Sequence, residues 1–142
     1  MSFLLDVNVL IALVDGDHVS HDVAHDWFGR VGKTRWFTCP LTENGLVRIV
    51  SNPKYPNSVT SPALALKLLQ QLKRLDGHGF WPDDISLADE TWFASSRLLT
   101  SAQITDSYLL GLAVKHGGRL ATLDRRLATG SVIGGEAARL LI

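Results

Sequence analysis

The sequence predicts an α/β fold in which helices cover both faces of a central, mostly parallel β-sheet. Short apolar runs, typical of strands buried on both faces, alternate along the chain with longer segments in which apolar residues recur at helical spacing. No internal repeat, low-complexity tract or long linker interrupts this alternation. Strands and helices that alternate in this way form a three-layer sandwich.

The length and composition of the chain fit a single domain covering residues 1–142. With 142 residues, of which 46% are hydrophobic, the chain is large enough to bury a core but has no room for a second domain. Basic and acidic residues balance at 14 each, which argues against the strongly basic surface of a dedicated nucleic-acid-binding protein. Any contact with a nucleic acid must therefore come from a local patch.

Cysteine content and hydropathy indicate the cellular location of the protein. The single cysteine, Cys39, excludes an internal disulfide and disfavours a zinc site built from several thiolates. No signal-peptide pattern opens the chain, and its apolar runs are too short to span a membrane. We therefore expect a soluble, cytoplasmic protein.

The first part of the chain predicts two strands and three helices. The apolar run from Ser2 to Leu5 predicts a buried strand that leads directly into a helix over Val7 to Val14. A second helix is expected after Ser20, because serine favours the N-cap position. Trp36 to Thr38 is typical of a second strand, and Leu41 to Val50 shows the spacing of a third helix.

The middle of the chain contains the clearest helix signal. Ser61 and Pro62 suit the N-cap and the first helical position, and leucines follow at helical spacing. The predicted apolar stripe consists of Leu64, Leu68, Leu72 and Leu75. Beyond this helix, residues 80–87 predict a short strand and residues 88–99 a weak helix.

One more helix and one more strand are predicted near the C-terminus. Thr105 is expected to cap a helix that begins at Asp106 and ends at Gly117, since glycine favours the left-handed conformation after a helix. Leu120 to Leu123 predicts a strand that ends at Asp124. The remaining C-terminal stretch carries no diagnostic pattern.

Four carboxylates are predicted at one edge of the sheet: Asp6, Glu43, Asp106 and Asp124. Two of them follow strands, and two lie in the first turns of helices that could begin at the same edge. Carboxylates that converge repel one another unless a divalent cation neutralises them. Ligands made only of oxygen suit Mg²⁺ or Mn²⁺, and these ions commonly serve phosphodiester hydrolysis. Taken singly, Glu43 or Asp106 is explained more simply by the helix dipole.

Four segments resemble the motifs of the PIN-domain family, and they occur in the family's order. Residues 3–10 (FLLDVNVL) are similar to the opening motif, in which Asp-x-Asn follows the first strand. Residues 42–48 (TENGLVR) resemble the glutamate helix, residues 105–113 (TDSYLLGLA) the third acid and its helix, and residues 122–124 (TLD) the fourth acid. The resemblance implies a PIN-like three-layer sandwich with these catalytic and metal-binding residues: Asp6, Glu43, Asp106 and Asp124.

Within this family, the opening motif together with His21 and Trp27 is most similar to the VapC-type toxins of bacterial toxin–antitoxin pairs. The resemblance implies an endoribonuclease that uses Mg²⁺ or Mn²⁺ and cleaves cellular RNA. It also implies a homodimer and a cognate VapB-type antitoxin whose tail blocks the acidic site.

Five further residues are candidates for supporting roles. Asn8 is expected to orient the metal ligands, and the hydroxyls of Thr105 and Thr122 are expected to help, although a helix cap explains Thr105 equally well. Arg125 and Arg126 directly follow the last acid and are candidates for binding RNA phosphates. Solvated surface arginines are the simpler explanation for these two.

Two other functions are compatible with part of this pattern. A haloacid-dehalogenase-like phosphate-ester hydrolase also places an aspartate after its first strand, but that family has a second aspartate where this chain has Asn8. A non-catalytic RNA-binding or partner-binding PIN module is the second alternative. Such a module does not need a cluster of carboxylates, which are unfavourable to bury, and a basic rather than neutral chain would have favoured this alternative. The sequence therefore favours the nuclease.

Overall fold

The computed structural model describes residues 1–142 and contains one sheet of five parallel strands in the order β3-β2-β1-β4-β5. The strands are β1 (Phe3–Leu5), β2 (Trp36–Thr38), β3 (His78–Phe80), β4 (Arg119–Thr122) and β5 (Arg139–Leu141). The α-helices are α1 (Val7–Val14), α2 (His21–Arg30), α3 (Pro40–Val50), α4 (Pro62–Lys73), α5 (Ile104–Lys115) and α6 (Gly135–Ala138). Helices pack on both faces of the sheet, which confirms the predicted α/β class.

Two hydrophobic cores lie on opposite faces of the sheet, because neighbouring residues of a strand point to opposite sides. Leu5 and Trp36 belong to the core under α1 to α4, whereas Leu4 and Leu120 belong to the core under α5 and α6. All three residues of β1 are buried as a result. The central position of β1 places the following residue, Asp6, in the middle of the carboxyl edge of the sheet.

The third strand lies earlier than the sequence predicts. Pairing with β2 uses residues 78–80, so most of the predicted stretch 80–87 has no strand neighbour. Gly79 has no side chain, which allows the Phe37 ring to approach within 2.4 Å of the place where a Cβ atom would stand. Backbone pairing with β2 and packing of the Phe37 ring therefore stabilise a strand that contains glycine, although glycine has a low strand propensity.

The helix predicted over residues 88–99 does not form. One 3₁₀ turn, Ser95–Arg97, is the only helical segment there. Phe93 pairs with Val132 in an isolated antiparallel bridge, and its buried ring reaches the core without a helix. Long-range packing thus outweighs the weak helical spacing of this segment.

Helix α4 has the predicted N-cap, but it buries only part of the predicted stripe. The Ser61 hydroxyl accepts from the Leu64 amide at 3.3 Å. The buried residues of the helix are Ala65, Leu69 and Leu72. Of the predicted stripe, Leu72 is buried as expected, whereas Leu64 and Leu75 are half exposed. A leucine-rich helix has more apolar residues than one face can bury, and packing against α3 selects the face that carries the small Ala65.

Helix α5 begins before its predicted cap. A 3₁₀ turn at Ser101–Gln103 leads into the helix, and the Gln103 carboxamide oxygen accepts from the Thr100 amide at 3.0 Å. Thr105 therefore lies inside α5, and the prediction that it is the N-cap is wrong. At the other end, Gly117 has a φ of +66°, which confirms the predicted glycine at the helix end.

The C-terminal stretch, which carries no diagnostic sequence pattern, completes the sheet. Helix α6 leads into β5, and β5 pairs with β4 from Leu120 opposite Arg139 to Thr122 opposite Leu141. This pairing makes β4 an interior strand and buries most of it. None of the helices has both the length and the apolar composition needed to cross a membrane.

Candidate active site

Asp6 lies where β1 ends and α1 begins, and its carboxylate is held from two sides. Oδ1 accepts from the Val7 amide and Oδ2 from the Thr122 hydroxyl, each at 2.7 Å. The residue is only 5% exposed. Burial raises the pKa of Asp6 to about 6 against the lowering effect of these hydrogen bonds, and the charges of Asp106 and Asp124 also raise it. A cation beside Asp6 would therefore favour its ionised form.

Asp106 and Asp124 approach Asp6 closely enough to affect its pKa. Asp106 lies in the first turn of α5, and Asp124 follows β4. Burial raises the pKa of Asp106, and the charge of Asp124 adds to the effect. Both aspartates line a cleft of about 240 Å³ together with Gln103 and Arg126. The structure thus places Asp106 and Asp124 on one cleft and within electrostatic range of Asp6.

A hydrogen-bond network around Thr122 connects the acids. Thr122 is fully buried and donates its hydroxyl proton to Asp6. Its oxygen accepts from the Asn8 side-chain amide at 3.2 Å and from the Asp124 backbone amide at 3.1 Å. Asn8 and Thr122 therefore lie beside Asp6, whereas Thr105 is exposed and takes no part in this network.

Glu43 lies in the first turn of α3, and both of its carboxylate oxygens are bound by other residues. Lys73 Nζ lies 2.9 Å from Oε2 and 3.2 Å from Oε1, and the Thr38 hydroxyl donates to Oε2 at 2.6 Å. Thr38 Oγ1 also lies 2.8 Å from His78 Nε2. Burial lowers the pKa of His78, and the nearby charge of Lys73 adds to this effect. Glu43 thus forms an ion pair within the chain, which neither Asp6, Asp106 nor Asp124 does.

Three residues that bind or support Glu43 are absent from the sequence predictions: Thr38, Lys73 and His78. Lys73 is 30 residues away from Glu43 along the chain, and no local motif connects the two. Thr38 could have been found, because it is the last residue of a predicted strand and ligand-facing groups gather at the carboxyl ends of parallel strands.

The chemistry of the aspartate group suits a hard divalent cation. The side-chain donors of Asp6, Asp106 and Asp124 are all oxygens, which Mg²⁺ and Mn²⁺ prefer. A cation would also relieve the repulsion that raises the pKa of Asp6 and of Asp106. In their present positions, however, no three His, Cys, Asp or Glu side chains are close enough together to hold one ion. Shared coordination would therefore require these carboxylates to turn toward one another.

Arg125 and Arg126 lie on the surface next to the aspartates. Both side chains are exposed, and neither forms an ion pair with an acid of the chain. Arg126 lines the same cleft as Asp106 and Asp124, and its backbone amide donates to Asp124 Oδ1 at 2.8 Å. The Arg126 guanidinium is thus free to bind an anion at the cleft, and the exposed Arg125 is its neighbour in the sequence.

Comparisons with known proteins relate the chain to one family over nearly its whole length. Residues 3–130, which include all four predicted acids, match the PIN domain. The chain is 42% identical over 140 residues to ribonuclease VapC44 of Mycobacterium tuberculosis, covering 99% of this chain and 98% of that protein. It is also 42% identical over 134 residues to ribonuclease VapC39 of the same species, covering 94% and 96%.

A solved structure supports the fold independently of sequence identity. The crystal structure of VapBC2 from Rickettsia felis, bound to a DNA fragment from their promoter, matches with a TM-score of 0.58 at 10% identity. The match covers 89% of this chain and 90% of that chain. At this identity the likeness concerns the fold alone. With the family match and the close relatives, it leads to one conclusion: the chain belongs to the PIN-domain family and is a VapC-type member of it.

Proposed function

We propose that this chain is an endoribonuclease that depends on Mg²⁺ or Mn²⁺ and acts as the toxin of a type II toxin–antitoxin pair. The observation that carries the proposal is the buried Asp6, which two further aspartates repel at the carboxyl edge of a parallel sheet. Relatives with 42% identity over nearly the full length are named ribonucleases, which supports RNA as the substrate.

In this proposal Asp6, Asp106 and Asp124 are the residues that hold the metal, and Glu43 contributes directly or through a water molecule. A bound divalent ion would polarise the scissile phosphate and activate a water for hydrolysis. The chain's own task is to keep the carboxylates ionised and oriented at neutral pH. The Thr122 hydroxyl fulfils part of this task, because its hydrogen bond to Asp6 favours the ionised form.

Neighbouring residues complete the proposed site. Asn8 fixes the Thr122 hydroxyl so that its proton points to Asp6. Arg126, which lines the cleft, and its exposed neighbour Arg125 bind RNA phosphates and hold the strand without reading its bases. We assign no role to Thr105, because its side chain is exposed and outside the network.

The proposed partners are RNA and a VapB-type antitoxin in the cytoplasm. The Rickettsia felis structure is described as VapBC2 bound to promoter DNA, which supports an antitoxin partner for this VapC-type chain as well. We further propose that the protein is one domain and forms a homodimer, as the resemblance to VapC-type toxins implies.

No observation favours the haloacid-dehalogenase alternative. That mechanism needs a second aspartate where this chain has Asn8, and the Asn8 side chain is engaged with Thr122. Membership of the PIN-domain family also separates the chain from that class. A non-catalytic binding module is the outcome that the following experiment would reveal.

The test is cleavage of structured RNAs by the purified protein in Mg²⁺, in Mn²⁺ and in chelator. We expect cleavage only with metal, and a loss of about a hundredfold or more in Asp6→Asn and in Asp106→Asn, since each removes a carboxylate from the ligand set. Asp22→Asn is the matched control, because Asp22 is an exposed aspartate on α2 that does not line the cleft of Asp106 and Asp124. This control should cleave at the wild-type rate.

The outcomes separate the candidate functions. Cleavage that persists in both variants would show that the activity comes from another site or from a contaminant. Metal binding and RNA binding without cleavage of any RNA would identify a non-catalytic binding module. Circular dichroism of each variant establishes that a loss of activity is not a loss of folding.

A further inference from the structure

We propose that Lys73 is a positioning residue that competes with the metal for Glu43. The inference rests on the metal-dependent activity proposed above and adds a residue outside all four motifs. Lys73 is the last residue of α4, and its ammonium group lies 2.9 Å and 3.2 Å from the two oxygens of Glu43. A residue of the same chain thus neutralises the charge of Glu43, whereas Asp6 and Asp106 have no ion-pair partner.

The ammonium group of Lys73 is fixed rather than freely solvated. Its side chain is 33% exposed and that of Glu43 only 17%. Nζ also lies 5.0 Å from the centre of the Phe80 ring, at the distance of a cation–π contact. An ion pair sheltered in this way is stronger than a surface pair in water, because fewer water molecules screen it.

A relay of hydrogen bonds from residues of two strands also holds Glu43. The Thr38 hydroxyl has one proton and donates it to Glu43 Oε2 at 2.6 Å. The contact between Thr38 Oγ1 and His78 Nε2 at 2.8 Å must therefore have the imidazole as donor. The His78 ring packs against the buried Trp36 ring at 4.6 Å, which fixes its orientation. Glu43 is consequently oriented by strand residues and neutralised by a helix residue.

Competition for Glu43 follows from this arrangement. Glu43 begins α3 at the carboxyl edge of the sheet, the edge at which Asp6 ends β1. A divalent ion held by the aspartates can bind the Glu43 carboxylate only if the ion pair between Glu43 and Lys73 breaks, or if the ion and Lys73 share the carboxylate. Removing the positive charge of Lys73 should therefore increase the affinity for the metal, by about fivefold for a partly sheltered pair.

The test is calorimetric titration of the full chain with Mn²⁺, which reads metal affinity without RNA or catalysis. We expect Lys73→Gln to bind Mn²⁺ about fivefold more tightly than wild type, and Lys73→Arg, which keeps the charge, to bind like wild type. Lys67→Gln is the matched control, because Lys67 is an exposed lysine on the same helix that forms no ion pair. This control should not change the affinity.

The same titration in a Glu43→Gln background isolates the proposed mechanism. If Lys73 acts through Glu43, Lys73→Gln should have little effect there, whereas an equal effect in both backgrounds would overturn the proposal. Unchanged or weaker binding by Lys73→Gln, in a protein that folds and whose Mn²⁺ binding is lost in Asp6→Asn, would also overturn it and leave the proposed function standing. Mn²⁺ binding that Asp6→Asn does not weaken would refute the metal site and this inference together.

Discussion

At the scale of single residues, Asp6 combines two opposing requirements. Its carboxylate is buried and faces two other aspartates, which disfavours its charge. The Val7 amide and the Thr122 hydroxyl donate to it, which favours its charge. The balance leaves the pKa of Asp6 at about 6 rather than its ordinary 3.8. Residues with a strongly raised pKa are typical of functional sites. The raised pKa also means that the fold is less stable when Asp6 is ionised and no cation is bound.

The raised pKa of Asp6 predicts how stability depends on pH. Between pH 3.8 and about 6 the folded protein binds more protons at Asp6 than the unfolded chain does, so stability falls as pH rises through this window. Below the window Asp6 is protonated in both states, and above it Asp6 is ionised in both. Relative to Asp6→Asn, wild type should therefore lose about 3 kcal/mol across the window and then stay level. Urea unfolding in chelator at several pH values measures this difference.

Comparison with Asp6→Asn removes the contribution of acids that do not interact with Asp6. The pKa values of Asp15 and Asp84 are lowered by hydrogen bonds and nearby charges, and these groups stabilise the fold as pH rises, but they are the same in both proteins. A stability difference that does not change between pH 4 and 7 would contradict the assignment. Addition of Mn²⁺ at pH 7 should reduce the loss of stability of wild type relative to Asp6→Asn, because only wild type has the carboxylate that the ion stabilises.

At the scale of elements, helix α5 carries Asp106 and must pack closely against the segment that precedes it. A Cβ atom at Gly111 would stand 2.5 Å from Cζ and 2.6 Å from Cε1 of the Phe93 ring. Phe93 is 1% exposed and belongs to the core under α5 and α6, so its ring is held by packing. The glycine in the middle of α5 is therefore required by close approach and not by backbone conformation.

This packing predicts opposite effects for two Gly→Ala substitutions in helices. Gly111→Ala should destabilise the protein by about 1–2 kcal/mol, because overpacking against Phe93 outweighs the higher helix propensity of alanine. Gly29→Ala is the matched comparison on α2, where a Cβ atom meets nothing within 4 Å. It should stabilise the protein by about 0.5–1 kcal/mol. Chemical denaturation measures both changes, and a Gly111→Ala protein as stable as wild type would disprove the close contact.

At the scale of the whole molecule, the even balance of charge limits how the chain can attract RNA. Fourteen basic residues offset fourteen acidic ones, so long-range attraction for a polyanion is weak. Phosphate contacts must then come from a few residues, of which Arg125 and Arg126 lie beside the proposed site with no acidic partner.

Salt dependence of RNA binding tests this local attraction. In chelator, which prevents the proposed cleavage, Arg126→Gln should weaken binding of single-stranded RNA and lower the slope of log K against log salt by about 0.7, the release expected from one phosphate contact. Lys54→Gln, which removes an exposed charge from a distant loop, should leave the slope unchanged. Equal slopes for wild type and Arg126→Gln would exclude Arg126 as a phosphate ligand.

The success of prediction varies with the range of the forces involved. The strand before Asp6 and the helix after it depend on neighbouring residues, and the structure has them where the pattern predicts. The strand at residues 78–80, the irregular segment around Phe93 and the last strand depend on partners far along the chain. Local spacing carries no signal for such partners, and these are the elements that were misplaced or missed.

The sequence by itself determined the α/β class and the family and gave four candidate acids, because hydrophobic periodicity and short motifs are local properties. Only the tertiary structure decided which acids approach one another. It places Asp106 and Asp124 within electrostatic range of Asp6, and it pairs Glu43 with Lys73. The physical reason is that charge interactions depend on distance and burial, and packing alone sets both for residues that lie far apart in the chain.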